Sequence, residues 1–218
     1  MKPSSAIILK QLAVGPMQNF AYFLGCAKTK QVAVVDPAWE VDRLRSEAAK
    51  ENLTITRILL THGHYDHSDG VDELLATHDV PVYTSKHERN ADNWPAKNLK
   101  KTSDGDVISI GEVKVECIWT PGHTSGGQCF RCGDILLTGD TLFINACGRC
   151  DLPSSGPEAM YETLYKKIMS LPDATVIYPG HAYGSKPYDT LGNQKKTNPY
   201  LRAKNRDEFL EKRMGLRR

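Results

Sequence analysis

Seven side chains of the types that bind metal ions occur along this 218-residue sequence in patterns that suggest a shared site. Four of them lie within residues 61–67, which read Thr-His-Gly-His-Tyr-Asp-His. His62 and His64 are two residues apart, so an extended backbone would direct both imidazoles to the same side. Asp66 and His67 follow as the chain turns into a helix. Four candidate ligands in so short a segment predict a site for more than one metal ion.

Three further candidate ligands, His123, Asp140 and His181, lie far apart in the sequence but in similar surroundings. Each follows an apolar stretch typical of a β-strand, and each is directly preceded by a glycine. Side chains at the ends of strands can converge on one rim of a sheet, where glycine allows close backbone approach. We therefore expect all seven residues to meet, and we expect the two remaining histidines, His78 and His87, at the surface.

The motif at 61–67 is the Thr-His-x-His-x-Asp-His pattern, and in it the chain resembles the metallo-β-lactamase superfamily. The motif spacing and residues 198–201, Asn-Pro-Tyr-Leu, are similar to the glyoxalase II-like (hydroxyacylglutathione hydrolase-like) branch, over about residues 6–205. The resemblance implies an α/β fold, a four-layer αββα sandwich with mixed sheets and a dinuclear site on one edge. It also implies the ligand sets: His62, His64 and His123 for one ion, Asp66, His67 and His181 for the other, and Asp140 as the bridge.

The chemistry implied by this resemblance is metal-dependent hydrolysis. We expect two divalent metal ions, with zinc favoured and iron or manganese as the alternatives. A water held between two such ions is a hydroxide near neutral pH and attacks a carbonyl group. Asp66 is the expected catalytic residue, because its carboxylate could orient or deprotonate that water. The predicted substrate is a thioester of the hydroxyacylglutathione type.

The stretch after Asp140 departs from glyoxalase II, in which Cys-Gly-Lys-Phe-Tyr holds the glutathione peptide. Residues 147–151 read Cys-Gly-Arg-Cys-Asp here, so Arg149 keeps a cation while an aspartate replaces the tyrosine. The same stretch resembles the persulfide dioxygenase branch, which implies one iron bound by His62, His123 and Asp140. Hydrolysis of another ester, a lactone or a β-lactam is a further alternative for the same side chains.

The C-terminal tail from about residue 192 is basic, with nine lysines and arginines against three acidic residues. Such a charge run is typical of the solvated face of a terminal helix. It also suits an anionic substrate, and the candidate substrate-binding cations are Arg149, Lys195, Lys196 and Arg202. The expected partner is therefore a small anionic thioester, whereas the sequence predicts no oligomeric state.

Six cysteines without an apparent secretory signal predict reduced thiols in a cytoplasmic protein. The pairs Cys129/Cys132 and Cys147/Cys150 have a spacing close to that of a zinc ribbon, which is a structural metal site. However, residues three positions apart in an extended strand point to opposite faces, which favours buried free thiols for the first pair. A non-catalytic scaffold would be expected to lack one of the seven candidate ligands, and the sequence keeps them all.

The candidate ligands need a sheet-based fold to position them, and the hydrophobic pattern provides its elements. Strands are predicted at 6–14, 32–35, 55–60, 80–83, 107–110, 113–119, 134–138 and 175–178, and helices at 41–51, 70–77 and 157–170. Strands mix with helices first, consecutive strands follow over 106–141, and a helix and a strand complete the order. This order suits a mixed sheet layered with helices. We expect one domain over residues 1–218, ending in the basic helical tail.

The overall composition is that of a globular protein. Hydrophobic residues make up 40% and charged residues 25% of the chain, and the net charge is only +2. The small net charge argues against nucleic-acid binding. No apolar run approaches the roughly 18 residues of a membrane span. We therefore expect neither a nucleic acid nor a membrane as a partner.

Overall fold

The computed structural model describes residues 6–89, 94–95 and 97–215. The strands in these ranges are β1 (Ile7–Val14), β2 (Asn19–Cys26), β3 (Gln31–Val35), β4 (Thr54–Leu59), β5 (Val82–Ser85), β6 (Leu99–Thr102), β7 (Val107–Ile110), β8 (Val113–Trp119), β9 (Gln128–Cys132), β10 (Ile135–Gly139), β11 (Leu142–Phe143), β12 (Ala146–Cys147), β13 (Val176–Pro179) and β14 (Asp189–Thr190). The helices are α1 (Val41–Lys50), α2 (Tyr65–Ser68), α3 (Val71–Leu75), α4 (Pro157–Glu162), α5 (Leu191–Thr197) and α6 (Arg206–Met214), and α4 continues as a π-helical segment, Thr163–Ile168. Within the described ranges, no helix combines the length and apolar character needed to cross a membrane.

Two six-stranded sheets form the centre of the fold. The first has the order β1-β2-β3-β4-β5-β6, in which β1 to β3 are antiparallel and β3 to β6 are parallel. The second has the order β14-β13-β10-β9-β8-β7, in which β10 and β13 are parallel and the other neighbours antiparallel. A separate two-stranded hairpin, β11–β12, follows β10 in the chain. Both large sheets are therefore mixed.

The sheets pack face to face, because both faces of each sheet carry apolar side chains. In β2, Phe20, Tyr22 and Leu24 point into the core between the sheets. Ala21 and Phe23 point to the opposite face, which α1 and α3 cover. The outer face of the second sheet is covered by α4 with its π-helical continuation, α5 and α6. The structure is a four-layer αββα sandwich with mixed sheets, which confirms the predicted fold class.

Six strands, β2, β6, β9, β11, β12 and β14, are absent from the predicted strand ranges, and one predicted helix differs in type. The strand β2 is buried along its whole length, so its sequence lacks the polar alternation that marks a half-exposed strand. The strand β6 is short and carries two lysines, which gives it little hydrophobic signal. The predicted helix at 157–170 is present, but its second half is π-helical. These differences leave the predicted layers unchanged.

The six cysteine side chains are buried free thiols. Cys129 packs on the helix-covered face of the second sheet, whereas Cys132 packs in the core between the sheets. The two thiols therefore lie on opposite faces of β9, as their spacing predicts, and cannot bind one ion together. This geometry argues against a zinc ribbon.

The carboxyl ends of five strands meet at one edge of the sandwich. The strands β3 and β4 are parallel neighbours in the first sheet. In the second sheet β10 and β13 are parallel, and β8 runs in their direction because β8 and β10 are both antiparallel to β9. The segments that follow these five strands carry Asp36, residues 61–67, His123, Asp140 and His181. The topology thus brings polar residues from both sheets to a common rim.

Candidate metal centre

Three imidazole nitrogens converge at the first group of predicted ligands. Nε2 of His62 lies 3.1 Å from Nδ1 of His64, and Nε2 of His123 lies 3.0 Å from the same Nδ1 atom. Ligand atoms about 2.0–2.1 Å from a tetrahedral zinc ion are separated by roughly 3.3 Å. The three nitrogens therefore have nearly the mutual spacing of ligands around one ion.

A second group lies beside the first and combines two imidazoles with a carboxylate. Nε2 of His67 lies 3.1 Å from Nε2 of His181. Oδ2 of Asp66 lies 3.6 Å from the His67 nitrogen and 3.4 Å from the His181 nitrogen. The short helix α2 provides Asp66 and His67, and His181 follows β13. Segments that follow strands of different sheets thus form one set of donors.

Asp140 lies between the two groups and faces each of them with a different oxygen. Oδ2 lies 3.4 Å from Nε2 of His123 in the first group. Oδ1 lies 3.3 Å from Nε2 of His67 and 3.5 Å from Nε2 of His181 in the second. The structure therefore brings together all seven candidate ligands, in the two sets and the bridging position that the resemblance implies.

Two features of this cluster fit divalent cations. Oδ1 of Asp140 is buried and has no hydrogen-bond partner among the described residues, which costs about 1–3 kcal/mol when nothing binds it. Gly180 keeps space beside this oxygen, because a Cβ atom there would lie 2.5 Å from Oδ1 of Asp140 and 2.8 Å from Cε1 of His67. The imidazole and carboxylate donors themselves suit zinc, iron or manganese.

Asp36 holds the second group in place, although the sequence pattern does not single it out. Its Oδ2 lies 3.0 Å from Nδ1 of His67, so the opposite ring nitrogen faces the centre. The same carboxylate accepts hydrogen bonds from the backbone N–H and the hydroxyl of Thr61, at 2.8 and 2.7 Å. A carboxylate behind a metal-binding histidine fixes its orientation and raises its basicity. Asp36 follows β3 without a preceding glycine, and only its place at a strand end could have indicated it.

Backbone groups and one asparagine orient the remaining donors. Nδ1 of His123 lies 2.9 Å from the carbonyl oxygen of Arg149, and Nδ1 of His181 lies 2.9 Å from that of Met17. Asn19 donates through Nδ2 to the carbonyl oxygen of Asp66 at 2.7 Å and to its Oδ2 at 3.3 Å. The turn between β1 and β2 and the first residue of β2 thus support the second group, through contacts that have no local sequence signal.

Burial and neighbouring charges give the two groups different electrostatic environments. Burial, together with the neighbouring His67, holds the pKa of His62 well below its usual range, which favours the neutral form of this imidazole. Burial also acts to lower the pKa of His67, but Asp140 and Asp36 raise it well above its usual range. Burial disfavours the charge of Asp140, yet His67 and His181 hold its pKa well below normal. The surroundings of the second group therefore favour a positive charge.

A cavity of 580 Å³ opens onto the centre and has the size of a small-molecule site. Five of the candidate ligands contribute to its lining: His64, Asp66, His123, Asp140 and His181. Arg149 lines the cavity as well, and its guanidinium donates to both oxygens of Asp151, at 2.8 and 2.9 Å. The predicted cation is therefore next to the centre, although a carboxylate partly compensates its charge.

The other predicted cations, Lys195, Lys196 and Arg202, do not line this cavity. Lys195 is paired with Asp173 at 2.5 Å on the surface. The tail instead supplies Arg213, which lines the cavity and donates to the carbonyl oxygen of Cys147 at 3.2 Å. The charge run indicated a basic tail, but which of its cations reaches the cavity depends on how α5 and α6 pack. Of the two remaining histidines, His87 is exposed and His78 half-buried.

Comparison with known proteins agrees with this arrangement. Residues 14–181 match the family model of the Metallo-beta-lactamase superfamily. The chain is 35% identical over 223 residues to the probable hydroxyacylglutathione hydrolase glo2 of Schizosaccharomyces pombe, an alignment that covers 86% of this chain and 84% of that protein. It is 32% identical over 192 residues to the probable polyketide biosynthesis zinc-dependent hydrolase BaeB of Bacillus velezensis, with 88% and 85% covered.

The structural comparison gives the same result. The crystal structure of ETHE1 from Myxococcus xanthus matches this chain with a TM-score of 0.87 and 30% sequence identity, over 97% of this chain and 92% of that one. The matched residues include the 61–67 motif and the other three candidate ligands, His123, Asp140 and His181. The chain therefore belongs to the metallo-beta-lactamase superfamily of metal-dependent hydrolases, within its glyoxalase II-like branch.

Proposed function

We propose that this chain hydrolyses thioesters of small anionic thiols at a centre of two divalent metal ions. The observation that carries the proposal is the position of Asp140, whose two oxygens face separate groups of donors. A carboxylate placed in this way suits two cations held close together. The likeness to a probable hydroxyacylglutathione hydrolase and to a probable zinc-dependent hydrolase supports thioester hydrolysis and zinc.

Residues of this chain position Asp66, the group that we expect to accept a proton from the attacking water. Bound ions would supply an acidified water near neutral pH and would polarise the substrate carbonyl. Asn19 holds Asp66 so that its Oδ2 faces the centre between His67 and His181, where it can accept the proton of the attacking water. A thiol has a pKa of about 8.5, so the departing thiolate needs little protonation, which favours a thioester over an amide.

Two arginines in the lining of the cavity suit an anionic substrate. Arg149 is already paired with Asp151. In the described part of the chain, no carboxylate lies within ion-pair distance of Arg213, which donates to a backbone carbonyl group instead. A guanidinium can bind a carboxylate through two parallel hydrogen bonds. Arg213 is therefore the cation that should contribute most to binding the anionic part of a thiol such as glutathione.

A mononuclear iron enzyme that oxidises a persulfide is the second candidate. The pairing of Arg149 with Asp151 favours it, because this Gly-Arg-x-Asp stretch resembles the persulfide dioxygenase branch. Such an enzyme would need only three of the seven donors, two imidazoles and one carboxylate. The ligand atoms of the second group also lie within 4.8 Å of one another, as those of the first do, which favours the two-ion hydrolase.

Metal analysis with parallel assays distinguishes these candidates. Purified protein loaded with zinc, iron or manganese is assayed for thiol release from S-D-lactoylglutathione and for oxygen uptake with glutathione persulfide. We expect two ions per chain and thioester cleavage without oxygen uptake. One iron per chain with oxygen uptake and no cleavage would overturn the proposal, as would activity confined to lactones or β-lactams.

A further inference from the structure

Three exposed side chains and one buried ring form an apolar surface on the wall of the cavity, which we call the aromatic ledge: Met17, Tyr65 and Tyr183, with Phe143 packed behind them. Met17, Tyr65 and Tyr183 are 38, 61 and 54% exposed. They are three of the five large apolar side chains that are exposed in the described part of the chain. Such a concentration of exposed apolar side chains beside a cavity is typical of a ligand-binding surface.

The aromatic ledge is in direct contact with the metal centre. The ring of Tyr183 stacks on that of His181, with 4.4 Å between centroids and 10° between planes. Phe143 packs edge-on against Tyr183, with 5.3 Å between centroids. A substrate carbonyl group at the centre would therefore have one of its two substituents close to these rings.

At Tyr65 and Met17, the ledge presents apolar atoms rather than free polar groups to the cavity. The hydroxyl of Tyr65 donates to Sδ of Met17 at 3.1 Å, so this hydroxyl is already bonded within the ledge. The carbonyl oxygen of Met17 is likewise occupied, by Nδ1 of His181 at 2.9 Å. These internal contacts leave the ring of Tyr65 and the thioether of Met17 as the surface available to a ligand.

We propose that the aromatic ledge binds an apolar acyl chain, so that the preferred substrates are thioesters of alkyl or aryl carboxylic acids. This inference rests on the proposed function, thioester hydrolysis at the same centre. A thioester has two substituents, and the two arginines of the cavity, Arg149 and Arg213, suit the anionic thiol. The ledge is then left for the acyl substituent, and its apolar surface matches an alkyl chain or an aromatic ring.

The size of the effect follows from the transfer of methylene groups out of water. Each methylene group that becomes fully buried raises affinity up to about fourfold. The ledge is open on one side, so burial is incomplete. We therefore expect a gain of about tenfold or more between a butanoyl and an octanoyl group, which differ by four methylene groups.

The first experiment measures kcat/KM of the zinc-loaded protein for glutathione thioesters with acetyl, butanoyl, hexanoyl and octanoyl groups. We expect kcat/KM to rise with chain length, mainly through a lower KM. Tyr65→Ser and Tyr183→Ser should flatten this rise, because each removes one ring of the ledge. Tyr188→Ser is the matched control, since Tyr188 is a 48% exposed tyrosine outside the cavity lining.

The second experiment measures binding without hydrolysis, by calorimetric titration with S-methyl-, S-butyl-, S-hexyl- and S-octylglutathione. Affinity that rises with chain length, and rises less in the Tyr65→Ser and Tyr183→Ser variants, supports the ledge even if no thioester is cleaved. In that case the proposed function fails and the ledge remains. Affinity that is absent, constant or falling along the series, or a rise that both variants retain in full, would overturn the inference.

Discussion

At the scale of single residues, the number of ions that the centre can hold depends on buried carboxylates. Asp140 faces both groups of donors, and its Oδ1 has no hydrogen-bond partner in the described ranges. Asp36 lies behind the second group, where it holds His67 and Thr61. The proposed chemistry thus depends on how these two carboxylates orient imidazoles and balance positive charge.

Replacing Asp36 by asparagine should weaken metal binding without disrupting the backbone. Asp36 has a φ of 51°, a conformation that asparagine also tolerates. The amide lacks the negative charge behind His67, so we expect the affinity for metal to fall about 10- to 100-fold. Chelator competition measures this affinity, with Asp42→Asn on the exposed face of α1 as the control. Equal affinities in the two variants would show that Asp36 does not support the centre.

Arg213 should contribute to the affinity for substrate. A hydrogen bond to a charged group contributes about 1.5–3 kcal/mol, so Arg213→Met should raise KM for a glutathione thioester about tenfold or more, with little change in kcat. Lys196→Met is the control, because Lys196 lies in the same tail but outside the cavity lining. Steady-state kinetics on both variants would contradict a binding role for Arg213 if their KM values were the same.

The candidate ligands could be predicted because residue type and position after a strand are local features. His123, Asp140 and His181 each show both features, as well as the preceding glycine. Asp36 could not be identified in this way, since its partner His67 is 31 residues away in the sequence. The position of each cation of the tail could not be predicted for a related reason, because a run of charge does not say which side chain faces a cavity.

At the scale of elements, the ends of adjacent strands set the distances between donors. The N–H group of Gly180 donates to the carbonyl oxygen of Gly139 at 2.9 Å, so β10 and β13 remain joined at the point where both end. Gly139 has a φ of 46°, which turns the chain directly after β10. Asp140 is thereby placed beside the segment that carries His181.

Gly180→Ala should remove the second metal ion and most of the activity. The added Cβ atom would lie 2.5 Å from Oδ1 of Asp140, so the carboxylate or the backbone must move. Gly156→Ala is the matched control, because a Cβ atom there would meet only the Cβ of Ala159, at an ordinary distance of 3.7 Å. Metal analysis should find one ion per chain in the first variant and two in the second. Two tightly held ions in Gly180→Ala would contradict the assigned role of this glycine.

The closing motif at 198–201 acts through a hairpin rather than through the centre. Nδ2 of Asn198 donates to the carbonyl oxygens of Phe143 and Ala146, at 3.3 and 3.0 Å. These bonds fix the β11–β12 hairpin, which carries Phe143 and Cys147 into the lining of the cavity. The sequence marked the motif by resemblance only, because its partners lie more than 50 residues earlier in the chain.

The strands and helices that could be predicted are also those whose sequence pattern is local. Strands of the second sheet with a bounded apolar pattern, such as β8 and β10, could be predicted within a residue or two. The strand β2 could not, since burial of both faces removes the alternation of apolar and polar residues. The π-helical half of the helix after Pro157 was also missed, because its hydrophobic spacing resembles that of an α-helix.

At the scale of the whole molecule, the centre joins the two sheets. Residues 61–67 follow a strand of the first sheet, whereas His123, Asp140 and His181 follow strands of the second. Ions bound by both sets of donors would therefore link the two halves of the sandwich. Because such ions bind the folded state and not the separated sheets, metal binding should stabilise the protein.

Removal of metal should lower the melting temperature. A ligand at about 1,000 times its Kd stabilises the folded state by about 4 kcal/mol. For a chain of this size, 1 kcal/mol corresponds to about 2–4 °C, so the expected decrease is about 8–16 °C. Calorimetry on chelator-treated protein, before and after addition of zinc, measures this difference. Equal melting temperatures would mean that the ions do not link the sheets.

Anomalous diffraction from crystals of the metal-loaded protein tests the two-ion centre most directly. We predict two peaks on either side of Asp140, one within bonding distance of His62, His64 and His123 and the other within bonding distance of Asp66, His67 and His181. A single peak, or peaks at the cysteines instead of this rim, would contradict a centre of two ions.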